Sequence, residues 1–298
     1  MDIEYIPAKH IVIPTKSSQW FGIDYNMNIY RGCCHGCIYC DSRSDCYQIE
    51  EFDRVRAKAD ALRIIRDDLR RKVRSGVVGT GAMSDPYNPC EASLCLTRHS
   101  LELLDAFQFG VAIATKSDLI TRDIDILQDI AVHSPVLCKL TVTTASDSLS
   151  QKLEPGAPSS SRRLAALSSL SEKGIFSGIL LMPVLPFLED SAENILEIVR
   201  LAGECGARFI YPAFGMTMRP GQREWFLSKL DTLFPGQALS ERYRKRYGSR
   251  YQWTSPQAKK LWNLFTQACD RLGILYRMPE IIHAYQMGYA PQQLTLFP

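Results

Sequence analysis

The chain has 298 residues, 46% hydrophobic and 22% charged, the make-up of a globular protein with one large domain or a domain plus an extension. Its formal charge of +3 is too small to establish a nucleic-acid partner, and no apolar run is long enough to cross a bilayer. The start, Met1-Asp2-Ile3-Glu4-Tyr5-Ile6, lacks the pattern of a signal peptide, so ten scattered cysteines argue against a secreted disulfide scaffold and for the reducing cytoplasm.

After an irregular beginning, Asn26 to Tyr30 reads as a short strand. It leads into Tyr30-Arg31-Gly32-Cys33-Cys34-His35-Gly36-Cys37-Ile38-Tyr39-Cys40, where Cys33, Cys37 and Cys40 are spaced C-x3-C-x2-C. One short loop of this kind can wrap a single inorganic centre. Thiolates are the usual ligands of iron–sulfur clusters, and a [4Fe–4S] cube takes four, so three would leave one iron open. Zinc is the competing reading, with His35 or Cys46 as fourth ligand, but no further C-x2-C elsewhere pairs with it. Cys34 also opens a C-x2-C-x2-C run as in bacterial ferredoxins, yet Ser44-Asp45 stands where that pattern needs Cys-Pro.

Asp53 to Arg74 follows as a long amphipathic helix, with Val55, Ala59, Leu62, Ile65 and Leu69 on one face. Gly76 to Gly81 is a buried strand, and a helix runs from near Arg98 to Phe107. Val111 to Thr115 is the third strand, with a helix from about Arg122 to Ala131, and Val136 to Thr143 is the fourth. A long connection bearing Ser, Pro and Gly precedes the helix Arg162 to Lys173. Gly178 to Met182 is the fifth strand, Ser191 caps the next helix with Glu193 in its first turn, and Phe209 to Tyr211 is the sixth.

Six β–α units with apolar strands predict an α/β fold, a partial (β/α)6 TIM-type barrel in which chemistry collects on the loops after the strands. The cysteine loop holds that position after the first strand. Beyond Gly215 the alternation stops, and Glu224–Leu233, Glu241–Tyr247, Pro256–Leu272 and Pro279–Tyr289 read as a C-terminal helical extension. The expected organisation is an N-terminal segment 1–24, a barrel 25–215 and an extension 216–298.

The three-cysteine loop after a first strand, with aromatic Tyr39 before the last cysteine, resembles the signature of the radical S-adenosylmethionine (radical SAM) superfamily. A closer resemblance, from about Tyr25 to Phe214, is to the branch containing spore photoproduct lyase and proteins often labelled DNA repair photolyases. It rests on Gly32 to Cys40, Gly81-Ala82-Met83-Ser84-Asp85, Thr115-Lys116-Ser117 and Leu153-Glu154-Pro155-Gly156. The resemblance implies that Cys33, Cys37 and Cys40 hold a [4Fe–4S] cluster whose fourth iron is chelated by SAM. One electron, from a donor such as flavodoxin or ferredoxin, would cleave SAM to methionine and a 5′-deoxyadenosyl radical that takes a substrate hydrogen.

Lys116, ending the third strand, could pair with the SAM carboxylate as a compact point charge, and its family counterpart contacts SAM. Ser84 matches a SAM-contacting serine of the lyase, and Asp85 could receive the amine, though Asp85-Pro86 also suits a turn. Thr141 and Thr143 alternate onto one strand face as SAM-binding candidates, one of them matching a SAM-binding serine of the family, and Tyr39 would pack near adenine. Met182 is better read as core. One departure stands out. The lyase quenches its product radical with a cysteine two residues before the matched serine, and here that position is Ala82. Cys34, Cys46, Cys90 and Cys95 are the nearby hydrogen-donor candidates, but none occupies the matching place.

In the tail, Arg242 to Trp253 interleaves cations with aromatic rings, which suits phosphates and bases or, equally, a solvated helix with its aromatics turned inward. The ending Gln293-Leu294-Thr295-Leu296-Phe297 resembles peptides that dock on the sliding clamp of bacterial DNA enzymes, or else folds back onto the protein. The leading functional reading is a radical SAM enzyme acting on DNA or RNA. The alternatives are a radical SAM enzyme for a peptide or small molecule, and a non-catalytic metal-binding regulatory protein.

Overall fold

Strands made of unbroken Val, Ile and Leu must be covered on both faces, which in a parallel sheet means helices outside and a plug within. The computed structural model of the chain describes residues 3–289. From the N-terminus come β1 (Glu4–Ile6), β2 (Val12–Pro14), β3 (Tyr25–Met27), β4 (Tyr30–Arg31), β5 (Arg56–Lys58) and α1 (Ala61–Arg70). Then follow β6 (Val77–Thr80), α2 (Glu91–Leu94), α3 (Leu96–Ala106), β7 (Gly110–Thr115), α4 (Ile124–His133), β8 (Val136–Thr141) and α5 (Asp147–Leu153). The next group is α6 (Ser160–Glu172), β9 (Ser177–Leu181), α7 (Ala192–Glu204) and β10 (Phe209–Pro212). The tail holds β11 (Gly215–Thr217), α8 (Gln222–Leu233), α9 (Leu239–Tyr247), β12 (Gln252–Thr254), α10 (Ala258–Leu272) and α11 (Met278–Gln286).

Seven strands form one open sheet in the order β10-β9-β8-β7-β6-β3-β2. Six of them are parallel, as the six β–α units require, and β2 adds an antiparallel edge beside β3. The sheet does not close, so the fold is a partial barrel. Alternation along β8 sorts its side chains: Val136, Cys138 and Leu140 pack outward with Leu127 of α4, Leu167 of α6 and Ile198 of α7. Leu137 points inward with Ala112, Leu180 and Phe209, against Phe21 and Ile23 and against Ile281 and Tyr285 of α11. Burying each such leucine or isoleucine stabilises by about 1.5–3 kcal/mol. Because Leu137 and Phe209 stand near the N-terminal ends of their strands, this plug closes that end. Tyr285 fixes it by donating its hydroxyl hydrogen to Phe21 O at 2.6 Å. Function is left the opposite mouth.

Several elements differ from the sequence expectation. The beginning is not wholly irregular, since β1 and β2 lie there. Asn26–Tyr30 is not one strand but two, β3 in the large sheet and β4 in a small sheet of order β1-β5-β4. The helix expected from Asp53 begins only at Ala61. Arg56–Lys58 pairs with β1 and β4, burying Ala57, and Asp60 then turns the chain at φ 52°. The Ser-rich connection contains α5, whose N-cap Ser146 accepts from Leu149 N. The tail is not purely helical, because β11 and β12 form an antiparallel pair.

Tail and barrel share side-chain packing. Helix α10 packs along α7, while Phe226 and Leu230 of α8 and Tyr243 of α9 join Ile38, Tyr39 and Leu185 in one buried cluster. Three of the four aromatics of the basic stretch point inward: Tyr243, Tyr247 and Trp253 are buried, with Trp253 stacked on Tyr247 at 5.1 Å between ring centroids, while Tyr251 is exposed. The clamp-like peptide Gln293–Phe297 lies outside the described residues.

Candidate active site

The cysteine loop is pinned from two sides. Its entry is held by Cys33 N–H donating to Phe52 O at 2.8 Å, its middle by Ile38 N–H donating to Leu153 O at 2.9 Å. The Glu154-Pro155-Gly156 turn clamps it further, with Gly156 N–H donating to His35 O at 2.9 Å. A Cβ on Gly156 would stand 2.2 Å from Cys34 O, so only glycine allows this approach. A similar constraint acts at the end of β6, where Gly81 has φ +94° and a Cβ would stand 1.8 Å from Ala114 O.

Cys33, Cys37 and Cys40 are free thiols, Cys37 buried and the others partly so. Burial, then the Asp85 charge, pushes the Cys33 thiol up to about 12, and burial likewise raises Cys37 and Cys40 against the pull of Lys116. Cys37 feels both of the other sulfurs electrostatically. Such thiols stay protonated until a metal takes them as thiolates. Among the described residues no three His, Cys, Asp or Glu side chains are gathered tightly enough to share one ion. A cube asks for a looser arrangement than zinc, since each thiolate binds its own iron. Neither proposed zinc partner faces this set: His35 Nδ1 lies 3.4 Å from Asp85 Oδ2, and Cys46 is exposed beside Ser44 and Arg219. The three-thiol donor set fits an iron–sulfur cluster.

Against the loop lies a buried charge cluster. Lys116 Nζ stands 5.7 Å from the Tyr39 ring centroid and 3.8 Å from Glu154 Oε1. The Glu154 carboxylate also receives the Tyr39 hydroxyl and the wholly buried guanidinium of Arg163. Burial opposes the Lys116 charge, but Cys37 and Glu154 overcome it and hold the ammonium up to about 12. For Glu154, burial favours the neutral acid, while Arg163 and Lys116 prevail and lower its pKa. Ionised partners therefore persist in a site from which water is largely excluded.

The other predicted residues surround this core. Ser84 Oγ donates to Gly32 O, tying the loop after β6 to the loop entry. Asp85 is already engaged: Oδ1 accepts from Tyr87 N and Thr115 Oγ1, and Oδ2 accepts from Lys116 N at 2.8 Å. It thus forms the Asp-Pro turn and orients the lysine backbone together. Thr141 ends β8, its carbonyl accepting from Arg163 Nη1 at 2.9 Å, and Thr143 lies just past the strand, donating to Glu189 Oε1. Met182 packs among the inner apolar residues. Of the cysteine candidates, Cys34 is partly buried, its thiol pushed up to about 11 by burial, while Cys90 caps α2 and Cys95 lies 3.7 Å from Arg122 Nη1. Ala82 is exposed on the loop after β6.

Sequence reasoning assigned no role to Glu154, Arg163, Glu189 or Lys139. Glu154 had a signal in the Leu153-to-Gly156 motif. Arg163 sits in a serine-rich helix that reads as surface, and nothing local marks it as fully buried. Burial pushes Glu189 up to about 8, which favours the neutral acid, and Lys139 down to about 7, which brings its loss of charge to near-neutral pH.

The Radical SAM superfamily profile matches residues 27–206. The chain belongs to the radical SAM superfamily. This family implies a [4Fe–4S] cluster and SAM as cofactors, which suits the free thiols at the barrel mouth. An uncharacterized protein of Mycobacterium tuberculosis is 30% identical over 230 residues, covering 75% of this chain and 67% of that one. An uncharacterized Methanocaldococcus jannaschii protein is 31% identical over 190 residues, covering 64% and 70%. The radical SAM fold here superposes on spore photoproduct lyase complexed with dinucleoside spore photoproduct, with TM-score 0.65 and 14% identity over 91% of this chain and 80% of that one. The radical SAM methyltransferase TsrM of Kitasatospora setae, with tryptophan and a SAM analog bound, gives 0.56 and 11% over 91% and 59%. No described helix is long and apolar enough to cross a membrane.

Proposed function

We propose that this radical SAM enzyme holds its cluster through Cys33, Cys37 and Cys40 and acts on a damaged or modified nucleic-acid base in the cytoplasm. The observation that carries the reading is the Lys116–Glu154–Arg163–Tyr39 cluster, buried against the three-thiol loop at the open end of the barrel. Bound cluster and SAM supply hydrogen-atom abstraction; the chain's own residues supply placement. Lys116, kept cationic, offers a point charge for the SAM carboxylate, and Glu154 with Arg163 holds that lysine and the Tyr39 ring in register. Thr141, Thr143 and neutral Glu189 line the side toward β9 with hydrogen-bonding groups. Ser84 and Asp85 act from behind, fixing Gly32 and the Lys116 backbone. We divide the chain into segment 1–24, barrel 25–215 and extension 216–298, the last walling the cluster loop with α8 and α9.

A nucleic-acid substrate is supported by the fold shared with a lyase whose structure holds a dinucleoside photoproduct, and by Arg244, Lys245 and Arg250, exposed on and after α9. The test is SAM cleavage by anaerobically reconstituted enzyme, with and without DNA or RNA oligonucleotides, together with binding across a salt series. Stimulation and salt-dependent binding are expected. No stimulation by any nucleic acid, with no such binding, overturns the substrate assignment.

A second reading, a peptide or small-molecule substrate, is favoured by the inward-facing Tyr243, Tyr247 and Trp253, which leave Tyr251 as the one exposed ring of that stretch on which a base could stack. Ala82 favours it too, because reversal of a thymine photoproduct by the cysteine-quenched route has no donor at that position.

A further inference from the structure

The outer side of the cysteine loop forms one wall of a surface groove of about 820 Å³. Gly36 and Ile38 line it, so the backbone on either side of Cys37 is its floor, and Lys152 of α5 with Trp225 and Lys229 of α8 forms the opposite wall. The groove is cationic. Lys152 Nζ rests 5.5 Å from the Phe234 ring centroid and Lys229 Nζ 4.2 Å from that of Trp225, so aromatic rings, not carboxylates, are their near neighbours. Its acid, Asp53, is paired with Arg43, whose guanidinium also lies 4.2 Å from the Trp225 centroid. Two ammonium groups without a carboxylate partner therefore stand beside the segment that carries the buried Cys37.

We propose that this groove docks an acidic one-electron carrier protein, which reduces the cluster across the Gly36–Cys37–Ile38 segment. The inference rests on the reading of Cys33, Cys37 and Cys40 as cluster ligands. One electron leaves the carrier's reduced prosthetic group and enters the cluster; the carrier departs oxidised by one electron, and no bond or proton is transferred. Electron-transfer encounters use small interfaces steered by opposite charge, which a short cationic groove with an aromatic wall provides. A nucleic-acid strand would instead ask for a stripe of cations along its backbone, and the groove ends within two helices.

The test compares two reductants on reconstituted holoenzyme carrying Lys152→Glu and Lys229→Glu, with 5′-deoxyadenosine as the readout. With dithionite, a small reductant that needs no docking, the rate is expected to stay within about twofold of the parent. With reduced flavodoxin it is expected to fall about tenfold or more, through a higher apparent KM for the carrier. An unchanged flavodoxin-driven rate overturns the proposal. So does loss of single-stranded oligonucleotide binding with flavodoxin-driven turnover intact, which would assign the groove to nucleic acid. If the glutamates depress both rates, Lys152→Gln with Lys229→Gln decides by the same ratio, an unchanged ratio overturning the docking site. A parent enzyme that yields no 5′-deoxyadenosine with dithionite instead overturns the cluster reading, and the groove proposal with it.

Discussion

Thr143 donates its hydroxyl hydrogen to Glu189 Oε1 at 2.7 Å, while Leu185 N–H donates to Oε2 at 2.9 Å, so a buried carboxyl from the β9–α7 loop is fixed to the end of β8. Burial raises its pKa from 4.5 to about 8, with Glu154 adding to the rise and Lys116 opposing it. Between those values the folded chain holds a proton that the unfolded chain has lost. Stability from this group is thus full below the unfolded value and drains as pH climbs toward the folded one. Glu189→Gln, which is neutral throughout, is expected to match the parent near pH 5 and exceed it near pH 8 by on the order of 3–5 kcal/mol. Thermal unfolding across that range checks this; parallel curves would show that Glu189 is ionised in the fold.

Lys139 on the inner face of β8 has the opposite sign. Its Nζ lies 4.7 Å from the Phe21 ring centroid, and burial lowers its pKa from 10.5 to about 7. Between those values the unfolded chain binds a proton that the folded chain does not, so stability rises with pH through that window and is poorest below it. Lys139→Met keeps the length and removes the charge. It is expected to stabilise by a few kcal/mol at pH 6 and by much less at pH 10. A variant that is less stable at pH 6 would mean that Lys139 makes a compensating interaction.

Glu154 is shared by Tyr39, Lys116 and Arg163, and removing its charge strands a guanidinium with no exposed surface. Glu154→Gln should cost about 3–5 kcal/mol, whereas replacing both Glu154 and Arg163 with apolar residues should recover part of that loss. Chemical denaturation measures both. A double variant as unstable as the single one would locate the loss in Tyr39 or Lys116 instead.

The sheet was legible from β6 to β10 because each of those parallel strands is a short, mostly apolar run bounded by glycine, proline or a turn, a pattern that needs no knowledge of its neighbours. The cysteine loop was legible for a similar reason, its three spaced cysteines lying within eight consecutive residues, Cys33 to Cys40. What escaped depends on distant partners. Arg56–Lys58 is a strand only because β1 and β4 flank it, and by local periodicity it extends a helix. Gln252–Thr254 becomes a strand by pairing with Gly215–Thr217 across two intervening helices. The same holds in the site. Arg163 and Glu189 look like surface residues in their own segments, and their burial comes from the fold.

The basic aromatic stretch bears most directly on substrate class. Trp253 has no exposed surface, stacks on Tyr247 and on Tyr243 at 5.3 Å, and donates its indole N–H to Arg250 O at 2.8 Å. Trp253→Ala should therefore cost about 3–5 kcal/mol of stability, as loss of a large core side chain does. Arg244, Lys245 and Arg250 are exposed, and changing them to alanine should move stability by no more than about 0.5 kcal/mol each. If the tail meets a phosphate backbone, these cations, with Arg242 and Arg246 also exposed on α9, are the groups placed to do so. The triple variant should then bind an oligonucleotide more weakly, with the slope of log K against log salt shallower by about 2–3. Unfolding and binding measured on the same preparations separate the two effects. Unaltered oligonucleotide affinity in the triple variant would remove the tail from the nucleic-acid surface and leave the peptide or small-molecule reading favoured.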